Sequence, residues 1–233
     1  MYEYEYKSLA ELQAQAEKHK LTLAGVIVHH EMEAAEESEA VIRQRMASRL
    51  AVFRESIDAG LSDTGTSVSG LVGGDADKMA HTEAKLLGSM ARKAEVYALA
   101  VSEANAKMFK VVACPTAGSC GIVPAVLTAV SEALGTSEDA NVDALFTAAG
   151  IGEVVARNAC VAGAVGGCQA EVGVASAMAS SAAVELMGGT PDQCLHAATS
   201  VLMNFLGLVC DPIGGLVECP CQGRNAAGVA VAL

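Results

Sequence analysis

A chain of 233 residues with 52% apolar side chains can enclose a sizeable core without disulfide or metal staples. Only 3% of it is aromatic, it has no Trp, and it carries 23 glycines, so its interior is built from Ala, Val, Leu and Gly at close backbone approach. With 27 acids against 15 bases and a net charge of −12, a nucleic-acid surface or an anionic-membrane binder is excluded, as are collagen-like, disordered and disulfide-scaffold classes.

The opening Met-Tyr-Glu-Tyr-Glu-Tyr-Lys lacks the basic and apolar regions of a secretory signal. Ser8-Leu9-Ala10-Glu11 is a capping box, followed by Leu12 and Ala16 at helical spacing. A long helical pattern then runs from about Leu23 to Ala59 through Met32, Ala35, Ile42, Met46, Leu50 and Phe53, with the glutamate-rich run Glu31–Glu39 as a solvated face. Residues 1–60 are thus expected to form amphipathic helices, with His19, His29 and His30 on their surface. Leu61–Asp77 is rich in Gly, Ser, Thr and Asp and is expected to be a loop. Lys78–Phe109 returns to a helix.

Beyond Lys110 the only bases are Arg157 and Arg224, which marks the second part as an interior packed on several sides. The charge-free stretch Val111–Ser131 is long enough to span a bilayer, but Pro115, Pro124, Gly118 and Gly121 interrupt it, and burial within the protein is the expectation. The Ala- and Gly-rich stretch Ala156–Ala183 suits helices packed at short axial distance. Gly189-Thr190-Pro191-Asp192-Gln193 supplies an N-cap, a first-turn proline and a box partner for a helix with apolar residues to Leu208. No period-2 run of β-branched residues occurs. The predicted fold is all-α, a single helical domain over 1–233 with Gly-rich, cysteine-bearing loops. The final residues, to Leu233, stop in mid-pattern, and the chain is expected to be shortened there. A cytoplasmic, non-membrane protein is expected.

Eight cysteines are too few for a secreted scaffold. Several sit in Gly-rich turns: Gly166-Gly-Cys-Gln-Ala-Glu-Val-Gly173, Gly207-Leu-Val-Cys-Asp-Pro-Ile-Gly-Gly215 and Val217-Glu-Cys-Pro-Cys-Gln-Gly-Arg-Asn225. Glycine there frees backbone N–H groups, which stabilise thiolate or sulfide charge as an iron–sulfur cluster requires. The long spacings and the absence of neighbouring His differ from the paired short knuckles of structural zinc. Cys114, Cys120, Cys160 and Cys194 are expected to be packing residues.

These turns, together with Pro115-Thr-Ala-Gly-Ser-Cys-Gly-Ile-Val-Pro124, resemble the α chain of iron–sulfur-dependent L-serine dehydratase over most of the sequence from about Ser67. The resemblance implies a [4Fe-4S] cluster held by Cys168, Cys210 and Cys221, with the fourth iron open. Cys219, two residues from Cys221, would face the other way in an extended segment and is expected to pack or support. The sequence departs from the family at Asn204-Phe205-Leu206, where His or Asn would often precede Leu-Gly-Leu. The implied reaction is a lyase step in serine breakdown, feeding gluconeogenesis. The open iron acts as a Lewis acid for the hydroxyl, a base removes the α-proton, water leaves, and the aminoacrylate hydrolyses to pyruvate and ammonia.

The loop Ser67–Lys78 resembles the family's corresponding loop, which makes Ser69 and Lys78 candidates for the substrate carboxylate. Thr116 and Gly118 offer hydroxyl and backbone donors. Arg224 and Asn225 follow Cys221 closely enough to meet substrate or cluster, and a buried Arg224 would need a charged partner. For the base, His81 is the candidate in this chain. The alternative implied by the resemblance is a β subunit with a Ser-His-Thr segment absent here; a homo-oligomer is also open. Three other readings compete: an L-cysteine desulfidase, a pyridoxal-phosphate deaminase using Lys78, and a non-catalytic, metal-stabilised subunit.

Overall fold

The computed structural model describes residues 2–83 and 85–233. It is helical throughout, with an isolated bridge between Ile213 and Leu216 as the one β-type pairing among the described residues. Helix α1 (Leu9–His19) starts as its sequence dictates: Ser8 Oγ accepts from Glu11 N at 3.2 Å. The Glu11 carboxylate returns to the backbone one residue earlier than a standard box, accepting from Lys7 N at 2.6 Å.

The long pattern from Leu23 to Ala59 resolves into two helices, α2 (Leu23–Ala35) and α3 (Glu39–Ser62). Glu36 turns left-handed at φ 55°, its N–H satisfying the Met32 carbonyl, and Ser38 is extended. The glutamate run therefore straddles a break, where Glu33 and Glu37 need not stack as like charges one turn apart. Glu33 instead accepts the N–H groups of Glu3 and Tyr4, both at 3.1 Å.

Lys78–Phe109 is likewise divided, into α4 (Asp75–His81) and α5 (Ser89–Ala106). The end of α4 is closed from outside: Arg92 on α5 donates to the carbonyls of Met79 and Ala80 at 2.9 and 2.8 Å. Hydrophobic periodicity continues across such a junction because both helices bury a face in the same core.

After a short turn at Ala117–Ser119 come α6 (Ile122–Leu134), α7 (Glu138–Asn158), the four-residue α8 (Gly163–Gly166) and a π-helical turn (Gln169–Gly173) that leads into α9 (Val174–Leu186). Helix α10 (Pro191–Phe205) carries the anticipated box, with Gln193 N donating to Thr190 Oγ1 at 3.3 Å and Thr190 N to Gln193 Oε1 at 2.9 Å. It stops at Phe205, short of Leu208. Helix α11 (Glu218–Ala232) closes the chain.

Helix α9 lies at the centre, packed against α6, α7, α10 and α11. Every residue from Val174 to Ala183 on it is buried, so small side chains are what allow neighbours on all sides. Helix α5 forms a second hub with α3, α4, α6 and α11. Its closest crossing is with α3, where a Cβ on Gly60 would fall 1.9 Å from the Ala100 carbonyl oxygen. The stretch Ala117–Leu134 is long and apolar enough to cross a membrane by count, and 61% of it is covered by the rest of the protein.

The N-terminal histidines are less open than expected: His30 is buried, and His19 and His29 are half-buried. His30 is 6% exposed, and Tyr4 lies between the rings of His19 and His29, at centroid distances of 4.5 and 4.6 Å. The tyrosines ahead of α1 provide this cover, with Tyr6 fully buried.

Candidate active site

Three turns and the start of α11 meet below the centre of the helical array. Gly167 takes φ +77° and runs so close to the 207–210 turn that a Cβ would sit 2.7 Å from Leu208 O. Beside it Gln169 N donates to Leu208 O at 2.9 Å, and Gly207 N donates to Gln169 Oε1 at 2.9 Å. Cys168 and Cys210 are thus carried on two turns sewn together by backbone bonds. Helix α11 is tied to the same place by Arg224, whose Nη1 donates to Cys168 Sγ at 3.1 Å. Cys221 lies one turn ahead of Arg224 on that helix.

The three thiols feel one another. Burial pushes the Cys168 thiol up, Arg224 opposes the shift, and Cys210 and Glu171 add to it. Cys221 is pushed up to about 11, by burial first and then by Cys168, Glu171 and Cys210, again opposed by Arg224. Charge on a neighbouring thiol thus makes Cys168 and Cys221 harder to ionise. Cys114, Cys120 and Cys194 are pushed up to about 12, with burial the largest cause in each case. Buried thiols of this kind are inert.

Cys219 is exposed and helical, not extended. Two residues along a helix rotate about 200°, so its side chain still leaves α11 away from that of Cys221. Pro220 sits in the first turn, where its missing N–H leaves no bond unmade.

A cavity of about 250 Å³ opens against this face, lined by Ala117, Gly118, Glu218, Cys221, Gln222 and Asn225 among others. Asn225 is 1% exposed and fully engaged. Its Oδ1 accepts from Gly121 N at 2.9 Å, while Nδ2 donates to Gly118 O and Cys221 O at 2.8 and 2.7 Å. It binds the Gly118 turn to the cysteine helix and keeps no polar atom free. Thr116 donates to Glu171 Oε1 at 2.7 Å. The Glu171 carboxylate fits because Gly163 has no side chain; a Cβ there would lie 2.0 Å from Oε2.

Ser69 belongs to a latch. Ser67 Oγ and Ser69 Oγ both donate to Glu218 Oε2, at 2.6 and 2.7 Å, which fastens the 63–74 loop to the first turn of α11. These two bonds hold the Glu218 carboxyl below its ordinary range. A depressed acid contributes above its unfolded value and loses that contribution as pH falls through the folded one. Acidification below about pH 4 is expected to free the loop, seen as lost hydrogen-exchange protection at Leu71, whose N–H donates to Ser69 Oγ. Protection unchanged by pH, or by Glu218→Gln, would remove the latch.

Lys78 and His81 lie apart from this network. Lys78 Nζ is paired with Asp75 at 3.0 Å and its side chain is 71% exposed. The His81 ring is 78% exposed and held by Asp77 on its own helix at 3.1 Å. Neither lines the cavity. Sequence reasoning passed over Glu171, Glu218 and Glu103. The first two had a visible signal, as acids inside Gly-rich cysteine turns of a segment poor in charge. Glu103, fully buried, had none: helical periodicity does not tell a buried carboxylate from a solvated one.

The family sequence model for "Serine dehydratase alpha chain" matches residues 18–233. The chain belongs to that family. It is 43% identical over 231 residues to the probable L-serine dehydratase, alpha chain, of Bacillus subtilis (strain 168), covering 98% of this chain and 77% of that one. It is 41% identical over 207 residues to the L-serine dehydratase, alpha chain, of Peptoniphilus asaccharolyticus, covering 88% and 71%. Against L-serine dehydratase TdcG of Escherichia coli (strain K12) the identity is 35% over 234 residues, 96% of this chain and 50% of that protein. The alpha-chain match takes in all the cysteine turns, the Ser67–Lys78 loop and Asn225.

Proposed function

We propose that this chain is the catalytic alpha subunit of an L-serine ammonia-lyase that converts L-serine to pyruvate and ammonia. The observation that carries the reading is that the turns bearing Cys168 and Cys210 are joined by backbone hydrogen bonds, while Arg224, one turn beyond Cys221 on α11, donates to Cys168 Sγ at 3.1 Å; of the three cysteines Cys221 lines the cavity. Three thiols, two from glycine turns and one from the first turn of α11, with no imidazole among them, fit a [4Fe-4S] cluster better than zinc. When bound by these three residues, the cluster supplies a Lewis-acid iron with an open position for the departing hydroxyl.

The chain's own groups do the rest of the work. Arg224 offsets thiolate charge at Cys168 and carries a guanidinium toward the same space. Ser69 and Ser67 donate their hydroxyls to Glu218, which lines the cavity, and a substrate carboxylate is an exchangeable acceptor for them. Thr116 and Glu171 fix the Gly118 turn. Asn225 holds that turn to Cys221 and acts by placing it. Lys78, solvent-exposed and paired, reaches the carboxylate only if the loop shifts. His81 points into solvent, so we assign proton abstraction at Cα to a partner beta chain. The alpha-chain names of the relatives support that division. Residues 1–233 are read as one domain because a single cluster of buried side chains runs from Tyr6 to Ala232. Eight free cysteines accord with a reducing cytoplasm.

The test is anaerobic iron and sulfide analysis, beside pyruvate formation with the beta chain added. About four irons and four sulfides per chain are expected, with Cys168→Ser, Cys210→Ser and Cys221→Ser each losing the cluster and more than about 100-fold of the activity. Cys219→Ser is expected to keep both. Cluster retention in all three variants would overturn the ligand set, and turnover of L-cysteine in preference to L-serine would overturn the substrate.

A further inference from the structure

Outside the cysteine turns, α2 and α7 bring an imidazole and two carboxylates together. His30 and Glu31 on α2 and Glu153 on α7 each offer one ligand atom, and these atoms lie within 4.8 Å of one another. His30 is 6% exposed, yet its Nδ1 is buried with no hydrogen-bond partner. Its Nε2 faces Glu153 Oε1 at 3.8 Å, beyond hydrogen-bond reach. A buried imidazole with neither nitrogen bonded is costly, and an ion or water that both groups share is the usual remedy.

Glu153 is held as a ligating carboxylate is held. Tyr6 Oη donates to its Oε2 at 2.7 Å and Arg157 Nη2 to its Oε1 at 2.6 Å. Burial and the neighbouring Glu153 push the Tyr6 hydroxyl up, so it remains a donor. Such outer bonds orient metal-binding carboxylates. Glu31 and Glu153 also line a cavity of about 490 Å³, which provides room for water ligands. Arg45 and Arg49 line the same cavity, but Arg45 is paired with Glu37 at 2.9 Å and Arg49 donates to the Arg45 carbonyl at 3.1 Å. Glu37 offsets Arg45, but a carbonyl does not offset Arg49, so Arg49 and Arg157 balance the two glutamates, and what favours a cation is the unbonded imidazole and the ligand geometry.

We propose that His30, Glu31 and Glu153 form a binding site for one first-row divalent cation, which pins α2 and α7 together beneath the N-terminal tyrosines. One nitrogen and two carboxylate oxygens suit Mn²⁺, Fe²⁺ or Zn²⁺ and disfavour Ca²⁺ and Mg²⁺. Bonds of about 2.0–2.2 Å set neighbouring ligand atoms about 3.0–3.4 Å apart, so side chains whose ligand atoms lie within 4.8 Å close by up to about 1.5 Å on binding. Glu31, partly exposed at the cavity, has the freedom to do so. The site is independent of the cysteine reading.

The probe is Mn²⁺, which avoids thiolates. Full-length, metal-stripped protein is titrated anaerobically with Mn²⁺ and followed by electron paramagnetic resonance and by thermal unfolding. One Mn²⁺ per chain and a rise in Tm are expected. Glu31→Gln and His30→Gln are each expected to weaken binding by about tenfold or more, while Cys168→Ser leaves it unchanged. Glu31→Gln keeps the test sound if the buried His30 variant misfolds. No stoichiometric Mn²⁺, or binding that survives Glu31→Gln at full affinity, would overturn the site and leave His30 and Glu153 as an ion pair only.

Discussion

Exchanging Glu103 for Ala is expected to lower folding stability by about 3–5 kcal/mol, the loss typical of breaking a buried charge pair from one side. Glu103 is fully buried on α5. Its carboxylate accepts from Gly74 N, Asp75 N and Ala76 N at 2.7, 2.7 and 2.9 Å, capping α4 from a different helix. It also receives Gln222 Nε2 from α11 at 3.2 Å. Lys107 Nζ lies 3.7 Å away with its side chain 6% exposed. Removing the carboxylate therefore orphans three backbone donors and leaves the buried Lys107 ammonium to Asp63 alone, whose carbonyl accepts from it and whose Oδ1 lies 3.7 Å away. Glu103→Gln, which keeps one acceptor oxygen but no charge, is expected to fall between the wild type and Glu103→Ala. Urea denaturation measures both, and exchange at the Gly74–Ala76 amides locates the damage. A loss below about 1 kcal/mol for Glu103→Ala would mean that water replaces the carboxylate, contrary to its burial. The consequence reaches the candidate active site, because Gln222 follows Cys221 and the 63–74 loop leads into α4.

Where the sequence was legible, the cause was local. Ser8 and Thr190 cap their helices through neighbours three residues on, and α1 and α10 start as written. The helical class followed from the lack of alternation, and the later part of the charge-free stretch, residues 119–130, is core because α5 and α9 cover α6, while Ala113 and Ala117 ahead of it are exposed. What failed was continuity. The breaks after Ala35 and His81 are made by a left-handed Glu36 and by an arginine from the next helix, neither of which disturbs the apolar period. The histidines were misjudged for the same reason: Tyr4 and Tyr6 cover them from outside the helices whose pattern was being read. At the candidate site, the family resemblance pointed to Cys168, Cys210 and Cys221; the fold joins the turns of the first two by backbone bonds and brings the helix of the third to them through Arg224. The resemblance could not separate Arg224, which reaches a sulfur, from Asn225, which is spent on the backbone. Ser69 and Lys78 belong to one loop in sequence, yet the first meets Glu218 and the second meets solvent.

Arg224 and Asn225, adjacent in the chain, are expected to give opposite phenotypes. Arg224 is partly exposed, and its anchoring contact is the 3.1 Å bond from Nη1 to Cys168 Sγ. Arg224→Met keeps the apolar stem and removes the donor, so the fold should change by less than about 1 kcal/mol. Donors to a cysteine sulfur tune the group that the sulfur holds, and losing one is expected to reduce iron retention or serine turnover by about 10–100-fold. Arg224→Lys restores the charge but not the planar fork, and is expected to recover only part of the loss. Asn225→Ala acts the other way. Gly121 N, donating to Oδ1 at 2.9 Å in the interior, loses its acceptor, and two carbonyls lose a donor. A buried polar group left unmatched costs about 1–3 kcal/mol, so this variant is expected to unfold at lower urea while its folded fraction still binds iron. Urea midpoints and iron content, measured on both variants in parallel, separate the two roles. If Arg224→Met unfolds as readily as Asn225→Ala and its folded fraction holds iron normally, the arginine is a packing residue and the contact with Cys168 carries no chemistry.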